Sequence, residues 1–265
     1  MHKFTTTKTQ LMAILNITPD SFFDGGTYLT PELAIKRALE LQSQGADILD
    51  IGAQSTRPGA VPVPPEEELR RLLPVLEAIA GQVSIPISVD TFHPTVAEQA
   101  LQHGASIIND VSGRVTTDMA NIIQRYNAGW VLMHNGGGAD AVPTYAPDIV
   151  ICVRDSLASM AEQAMSFGLT KQQLCIDPGI GFGKSREDNI KLISNMRSLK
   201  LEGIALLVGA SRKRVTGEGI PPQDRLAGTI AAHTVAQLGG ADILRVHDVR
   251  EARQAADFTE LVITA

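Results

Sequence analysis

Acidic, amide and cationic side chains stand where short apolar runs of this chain end, and together they could bind one polar ligand. Asp90, Asn109 and Asp177 supply two carboxylates, which only accept hydrogen bonds, and one amide, which both donates and accepts. Such a set suits the edge of a flat heterocycle that carries several N–H groups. The polar residues that end the runs are Asn16, Asp50, Asp90, Asn109 with Asp110, His134, Asp177, Ser211 to Lys213, and Arg245 with His247 and Asp248.

Three cations follow the later runs and predict a second half of the site. Lys213, Arg245 and His247 offer N–H donors of the kind that bind phosphate or diphosphate. Taken singly, a carboxylate at the end of a strand often caps the following helix, and we expect a structural role for Asp110 and Asp248. Burying many unpaired charges would cost several kcal/mol each. The set as a whole therefore indicates a shared, wet pocket.

Two further features have more than one interpretation. The glycine-rich run from Asp177 to Lys184 lacks the G-x-G-x-x-G spacing of a dinucleotide loop, and its glycines are better suited to bringing backbone and Phe182 close to a ligand. His134 is a candidate catalytic base, but a single histidine at the end of a strand more often has a structural hydrogen-bonding role. We therefore expect no nucleotide site and favour the structural interpretation of His134.

The spacing of the apolar runs predicts the fold that positions these residues. Eight strand-like runs alternate with helix-length amphipathic segments, which is typical of a (β/α)8 TIM barrel, an α/β fold with its reactive groups at the carboxyl ends of the strands. A chain of 265 residues fits one such domain, so we predict a single domain over residues 1–265 that begins with a polar segment at 1–10. The predicted strands are Leu11–Ile17, Ile48–Asp50, Ile85–Asp90, Ser106–Asn109, Trp130–His134, Leu174–Asp177, Ala205–Ser211 and Ile243–Arg245.

Helices and loops between the strands follow from periodicity and from proline and glycine. Pro65–Ala80 has leucine and isoleucine at three- and four-residue spacing behind an acidic first turn, and a similar pattern ends at Gly45. The strands lack polar alternation, as parallel strands covered on both faces do, and Pro86 should delay the start of the third. Two long connections, residues 18–30 and 53–64, are expected to be functional loops.

Composition excludes several classes of protein. The formal net charge is −6, so the overall field repels nucleic acid and anionic lipid, and we expect neither as a partner. No stretch offers about 18 uninterrupted apolar residues, and the first ten residues are polar, so we expect a cytoplasmic protein without a membrane span. Cys152 and Cys175 have no metal-site or disulfide spacing and are expected to be reduced.

Several motifs in the same order resemble the dihydropteroate synthase family, a group of pterin-binding enzymes of the folate pathway. The resemblance spans almost the whole chain, and its first two motifs are long and specific. The matching segments are Ile14–Gly26, Gly45–Gly52 with Ser55–Ala60, Ser88–Thr91, Ile107–Asp110, Met133–His134, Asp177–Lys184, Gly209–Lys213 and Arg245–Val249.

The resemblance implies a Mg²⁺-dependent transferase that joins p-aminobenzoate to 6-hydroxymethyl-7,8-dihydropterin diphosphate, releasing diphosphate. It implies catalytic roles for Asp90, Asp177, Lys213 and Arg245. The positions that it assigns to the pterin are Asp90, Asn109, Asp177 and Lys213, and Met133 is a further substrate-binding position. Those for the diphosphate are Arg245, His247 and Asn16, with Asn16 also the Mg²⁺ ligand. Those for p-aminobenzoate are Thr56, Arg57, Pro58, Phe182, Ser211 and Lys213.

The chain departs from the family pattern in two places. Ala53 and Gln54 stand where the family usually has Gly-Glu, which removes one loop carboxylate, and Arg214 and Thr216 replace small or apolar residues after Lys213. The first change is expected to alter the dynamics of the loop at residues 53–64. The second is expected to affect the fine positioning of residues around Lys213. Neither change removes a motif that contacts the ligand.

Three other functions compete with this one. A lysine at a barrel strand end, such as Lys213, is also found in Schiff-base aldolases. Methyltransferase domains that bind methyltetrahydrofolate share the Asp and Asn pattern, although both loop motifs are not expected there. A non-catalytic pterin binder is the third alternative. The resemblance also implies a homodimer, for which the late helices predicted within residues 224–238 or 250–262 could supply an apolar face.

Overall fold

Eight parallel strands pair in chain order and close into a barrel, because β1 pairs with both β2 and β8. The structure is a computed structural model and describes residues 3–5, 7–17, 30–54, 63–136 and 143–265. The predicted α/β fold class and (β/α)8 architecture are confirmed. The strands are β1 Gln10–Asn16, β2 Ile48–Gly52, β3 Ile87–Asp90, β4 Ile107–Asp110, β5 Gly129–Met133, β6 Leu174–Asp177, β7 Ala205–Val208 and β8 Ile243–Val246.

Helices follow the strands and cover the outside of the barrel. Local sequence sets their starts: the Thr30 hydroxyl accepts from the Leu33 N–H at the start of α1, and Ser185 and Asp188 form a capping box at α6. The helices are α1 Pro31–Ser43, α2 Pro65–Ile79, α3 Pro94–Gln102, α4 Thr117–Tyr126, α5 Ile149–Ser166, α6 Arg186–Ser194, α7 Met196–Leu199, α8 Leu226–Leu238 and α9 Val249–Thr264, with short 3₁₀ turns at Lys171–Gln173, Arg214–Thr216 and Pro222–Asp224.

Most predicted boundaries are within one or two residues of the observed ones, and β3 begins directly after Pro86 as expected. The predicted end of β7 at Ser211 is wrong, because the strand ends at Val208. The Ala210 N–H donates to Nε2 of His233 at 3.2 Å, a side-chain acceptor on α8, instead of to a neighbouring strand. The chain therefore leaves the sheet before Ser211.

An apolar layer fills the barrel interior below its carboxyl end. Its members come from alternate positions of the strands, as the period of two in a strand requires. Phe4, from the predicted polar segment, joins this layer: its side chain is buried, and its N–H donates to the Gln172 carbonyl at 2.8 Å. The layer consists of Phe4, Met12, Ile48, Ile107, Val131, Cys175, Ala205, Leu207 and Ile243.

Both cysteines are free, and burial raises the pKa of the Cys175 thiol well above its usual value, so this thiol stays protonated. In the part of the chain that is described, no helix is long and apolar enough to cross a membrane. The two long connections, residues 18–30 and 53–64, lie mostly outside the described residues.

Replacing Phe4 with alanine should lower the free energy of unfolding by about 3 kcal/mol, because a buried aromatic ring would leave a cavity in the interior layer. Urea unfolding followed by circular dichroism measures the change. Leu33→Ala serves as a control, since Leu33 on α1 is 44% exposed. Equal midpoints for Phe4→Ala and the unmodified chain would contradict this role.

Candidate active site

The polar residues of the rim sit one interior layer above the apolar layer. Ile48 is followed two positions later by Asp50, Ile107 by Asn109, Cys175 by Asp177, and Ile243 by Arg245. Because side chains two apart in a strand point to the same face, each polar residue also faces the barrel interior, nearer its carboxyl end. The apolar layer therefore forms the floor of a polar site.

Arg245 is the centre of a buried ion-pair cluster. Its Nε donates to Oδ2 of Asp50 at 2.7 Å, and its Nη2 donates to Oδ2 of Asp90 at 2.8 Å. The Asn109 amide also donates to Oδ2 of Asp50, at 3.2 Å. Strands β2, β3, β4 and β8 are thus joined at one point. The sequence predicts Asp50 only as a polar strand end, but in the structure it contacts two predicted site residues, Arg245 and Asn109.

Several acceptors in this cluster have no hydrogen-bond partner among the described residues. They are Oδ1 of Asp50, Oδ1 of Asp90 and Oδ1 of Asn109, and the Ser88 hydroxyl lies unpaired beside them. An unsatisfied buried polar atom costs about 1–3 kcal/mol, so a folded protein rarely keeps several together. The cluster can therefore accept hydrogen bonds from a ligand that carries N–H groups.

Asp177 is held from the other side by the loop that follows β6. The Gly179 N–H donates to Oδ1 of Asp177 at 2.7 Å. Gly179 has φ +66°, and a Cβ there would lie 2.0 Å from the His134 carbonyl oxygen, so this close approach needs glycine. Met133 pairs with Asp177 in the β5–β6 register and is buried against the same turn.

The buried lysine at the end of the glycine-rich run organises its backbone. Nζ of Lys184 donates to the carbonyls of His134, Gly179 and Phe182 at 3.2, 3.0 and 2.9 Å. Burial lowers the pKa of Lys184 to about 7. The run is thus a compact turn whose backbone carbonyls converge on an internal lysine.

Lys213 reaches from the loop after β7 to the loop after β6. Its Nζ donates to the Ile180 carbonyl and lies 4.7 Å from the ring centroid of Phe182, a cation–π contact. Gly181 keeps room for the lysine chain, because a Cβ there would lie 3.2 Å from Cδ of Lys213. Phe182, Lys213 and the Asp177 turn therefore belong to one site.

The loops after β7 and β8 are joined by two contacts. The Ser211 hydroxyl pairs with Nδ1 of His247 at 2.9 Å and accepts from the His247 N–H at 3.2 Å. Next to it, Arg212 forms a two-bond ion pair with Asp248. Asp248 and Asp110 do have structural contacts, as expected; Asp110 accepts from the Ser112 N–H at 2.8 Å and from the Trp130 indole at 3.4 Å.

Burial and charge shift the ionisation of the rim. Burial raises the pKa of Asp90 to about 7; the Arg245 guanidinium opposes this, and the Asp50 carboxylate adds to it. Burial also raises the pKa of Asp177, against the opposing charge of Lys213. The pKa of Lys213 falls to about 8, mainly through burial. A ligand edge that donates hydrogen bonds to Asp90 would favour its charged form and so lower this raised pKa.

The His134 ring lacks the hydrogen bonds that the structural interpretation predicted, since its buried Nδ1 has no partner among the described residues. Burial and the nearby Lys184 charge lower its pKa to about 4, so the imidazole is neutral at pH 7 and a weak base. Its backbone N–H donates to the Asp177 carbonyl at 2.8 Å, and its carbonyl accepts from Lys184. Its contacts therefore hold the turn beside Asp177.

Other predicted site residues lie at the first two strands. Asn16 ends β1 and pairs with Gly52, which pairs in turn with Asp90; a Cβ on Gly52 would lie 3.2 Å from Oδ1 of Asn16. The missing side chain of Gly52 therefore leaves space between Asn16 and the carboxylates. Gln54 is buried, and its Nε2 has no partner in the described ranges. The predicted p-aminobenzoate residues Thr56, Arg57 and Pro58 lie outside the described residues.

The fold and the rim define a (β/α)8 enzyme that binds a polar heterocycle at the carboxyl ends of its strands. Comparison with known sequences gives the particular family: the chain belongs to the pterin binding enzyme family, whose model matches residues 12–247. Its curated relatives include the dihydropteroate synthase of Clostridium beijerinckii, which is 38% identical over 260 residues, covering 97% of this chain and 95% of the relative. The dihydropteroate synthase of Bacillus subtilis is also 38% identical, over 262 residues that cover 97% of this chain and 89% of the relative.

Solved structures agree with the sequence relatives. Xanthomonas albilineans dihydropteroate synthase with 4-aminobenzoic acid has a TM-score of 0.92 at 43% identity, covering 99% of this chain and 96% of that one. Yersinia pestis dihydropteroate synthase in complex with a sulfonamide drug also has a TM-score of 0.92, at 35% identity and with 99% and 97% coverage. The likeness thus extends over nearly the full length of each chain.

Asp50→Asn should lower the pKa of Asp90 toward the ordinary aspartate value, because it removes a neighbouring negative charge that raises this pKa. Carbon-13 NMR of labelled aspartate carboxyls, titrated between pH 4 and 9 in the ligand-free protein, measures the change. Asp155→Asn, at an exposed site on α5, is the control. An ordinary Asp90 pKa in the unmodified protein, or no change in Asp50→Asn, would contradict the shared-charge arrangement.

Proposed function

We propose that this chain is a dihydropteroate synthase: it joins p-aminobenzoate to 6-hydroxymethyl-7,8-dihydropterin diphosphate and gives 7,8-dihydropteroate and diphosphate in folate biosynthesis. The observation that carries the proposal is the set of unpaired buried acceptors on Asp50, Asp90 and Asn109 beside the cations Lys213 and Arg245. Strong support comes from curated relatives of this name that match almost the whole chain.

The pterin is complementary to the acceptor cluster. Its amino and ring N–H groups would donate to Asp90, Asn109 and Asp177, and its carbonyl side would accept from Lys213. Asp177 and Lys213 are close enough to attract each other electrostatically. One edge of the ring would therefore face carboxylate acceptors, and the other edge would face the lysine donor. Met133, buried beside Asp177, would contact the apolar face of the ring.

The diphosphate would bind to Arg245, His247 and Asn16. The Arg245 guanidinium has five N–H donors, more than Asp50 and Asp90 use, so it can hold the carboxylates and still donate to an anion. His247, whose Nδ1 is paired with Ser211, follows β8 two residues after Arg245 and would be the second cationic contact of the diphosphate.

Mg²⁺ fits this half of the site as a companion of the diphosphate. Asn16 offers one amide oxygen, and the described residues contain no cluster of three or more histidines, cysteines or acids that could hold a metal ion. One protein oxygen with substrate phosphates and water is a common way of binding Mg²⁺. When bound, the ion supplies positive charge to the diphosphate oxygens.

Catalysis would be mainly electrostatic. Arg245 and His247 stabilise the negative charge that develops on the departing diphosphate, while the Asp90 and Asp177 carboxylates stabilise a pterin cation. The aromatic amine then attacks the electron-poor methylene carbon and loses its proton afterwards, so no strong base and no covalent enzyme intermediate is needed. The neutral His134, with its pKa of about 4, is consistent with a reaction that needs no strong base.

The p-aminobenzoate subsite would lie beside Phe182 and Lys213, whose side chains contact each other at 4.7 Å. The aromatic ring can stack near Phe182, and the lysine can attract the carboxylate of the substrate. Ser211 is paired with His247, and its hydroxyl, with one donor and two lone pairs, could still make a further hydrogen bond to the substrate. The family resemblance also assigns Thr56, Arg57 and Pro58, which lie outside the described residues, to this subsite.

The test is direct. Isothermal titration with the pterin diphosphate, with Mg²⁺ or with EDTA, should give binding that Mg²⁺ strengthens, and adding p-aminobenzoate should give dihydropteroate by chromatography. Binding without product would favour a non-catalytic pterin binder. Methyl transfer from methyltetrahydrofolate would favour the methyltransferase alternative, and borohydride trapping of a keto substrate on Lys213 would favour an aldolase.

Asp90→Asn and Asp177→Asn should each lower kcat/KM for the pterin substrate at least roughly tenfold, because each loses a charge-assisted hydrogen bond in the transition state. Steady-state kinetics with a coupled diphosphate assay measures the loss. Asp155→Asn is the control, since Asp155 is exposed on α5 and pairs only with its neighbour Arg154 in the described contacts. Unchanged turnover in both site variants would end this mechanism.

Cytoplasmic localisation stays a prediction. We also propose a homodimer that forms through α8 and α9. The two helices pack together and expose apolar side chains, of which Phe258 and Leu261 are each 68% exposed. Leu261→Glu should give a monomer in sedimentation velocity, while Ile151→Glu, at an exposed site on α5, should not. A monomeric unmodified chain would contradict the dimer. The other exposed members of this face are Val235, Leu238, Val262 and Ile263.

A further inference from the structure

Arg212, the residue before Lys213, has an unusual backbone conformation. Its φ is +57°, in the left-handed region that non-glycine residues seldom adopt. Among the described residues, Asn127 is the other non-glycine residue with positive φ, and it caps the C-terminus of α4, where asparagine is ordinary. Arg212 has no such helix-capping reason, so its conformation points to a constraint imposed by its surroundings.

Contacts from separate elements hold this conformation. The Arg212 N–H donates to the Thr229 hydroxyl of α8 at 3.0 Å, and the Arg212 carbonyl accepts from Nη1 of Arg225 at 2.9 Å. The side chain turns the other way and binds Asp248 with two bonds, Nε to Oδ2 at 3.0 Å and Nη2 to Oδ1. Backbone and side chain are thus both fixed.

The two residues next to Arg212 in the chain, Ser211 and Lys213, contact different loops. Ser211, before the reversal, pairs with His247 of the β8 loop. Lys213, after it, extends to the Ile180 carbonyl and the Phe182 ring in the β6 loop. Asp248 immediately follows His247. The Arg212–Asp248 pair therefore fixes the spacing between the loop that carries Lys213 and the loop that carries His247.

We propose that Arg212 and Asp248 are positioning residues for the group-transfer step: neither touches substrate, but their ion pair sets Lys213 and His247 at the separation that the two ends of the pterin diphosphate require. The proposal rests on the proposed function. Both side chains are partly exposed, 25% and 20%, so the pair can be altered without removing a core residue. A misplacement of about 1 Å at a reacting group can cost up to about 100-fold in rate.

The experiment compares Arg212→Met, Asp248→Asn and the double variant in the full chain. Each single variant should lower kcat between about tenfold and 100-fold, while binding of the pterin diphosphate by calorimetry weakens much less, since the acceptor cluster is intact. The double variant should be no slower than the slower single one, because the two residues act as one unit. Arg125→Met is the matched control: it breaks a 2.6 Å ion pair with Glu98 between α3 and α4, away from the rim, and kcat should not change.

Arg212→Gly is the second variant, because glycine adopts the left-handed conformation without strain and so preserves the fold. It should keep the melting temperature and still show the low kcat. Wild-type kcat in Arg212→Gly or Asp248→Asn, additive losses in the double variant, or losses explained by a smaller folded fraction would each overturn the proposal. An unmodified chain that makes no dihydropteroate would instead refute the proposed function.

Discussion

The site depends on one guanidinium group that is shared by two buried carboxylates. Arg245 donates to Asp50 and to Asp90, and Asp50 also accepts from Asn109, so four strands meet at one charge. Removing one partner of such a buried pair leaves an uncompensated charge and costs about 3–5 kcal/mol. The same arrangement leaves one oxygen of each carboxylate without a partner in the part of the chain that the structure describes. Stability of the rim and affinity for a donor-rich ligand therefore come from the same contacts.

The barrel makes this arrangement possible because its strands are parallel and in register. Every strand presents its last interior position at the same end, and the apolar layer below excludes water from the charges above. Lower effective dielectric strengthens each electrostatic contact of the rim. The loops after β6, β7 and β8 then add Phe182, Lys213 and His247 from above, each held by backbone carbonyls or by a neighbouring side chain.

Much of this was predictable from local pattern. The strand order, the barrel and the polar strand ends such as Asp90 and Asp177 follow from apolar runs that stop at a polar residue, a signal contained within a few positions. Asp50 was not identified as a site residue because its importance comes from Arg245, 195 residues away along the chain. The end of β7 was missed for a similar reason, since the hydrogen bond from Ala210 to His233 is a tertiary contact. The left-handed conformation of Arg212 could not be predicted, because the sequence has no glycine at this position.

Phe4 has a consequence for how the chain can be extended. Its ring is anchored at the amino ends of the strands, at the opposite pole of the cylinder from Asp90 and Lys213, and its backbone is tied to Gln172. The described residues at this end of the chain are therefore fixed on the side of the barrel opposite the substrate site. A fusion partner joined directly to this anchor would start on the side of the barrel away from the catalytic entrance.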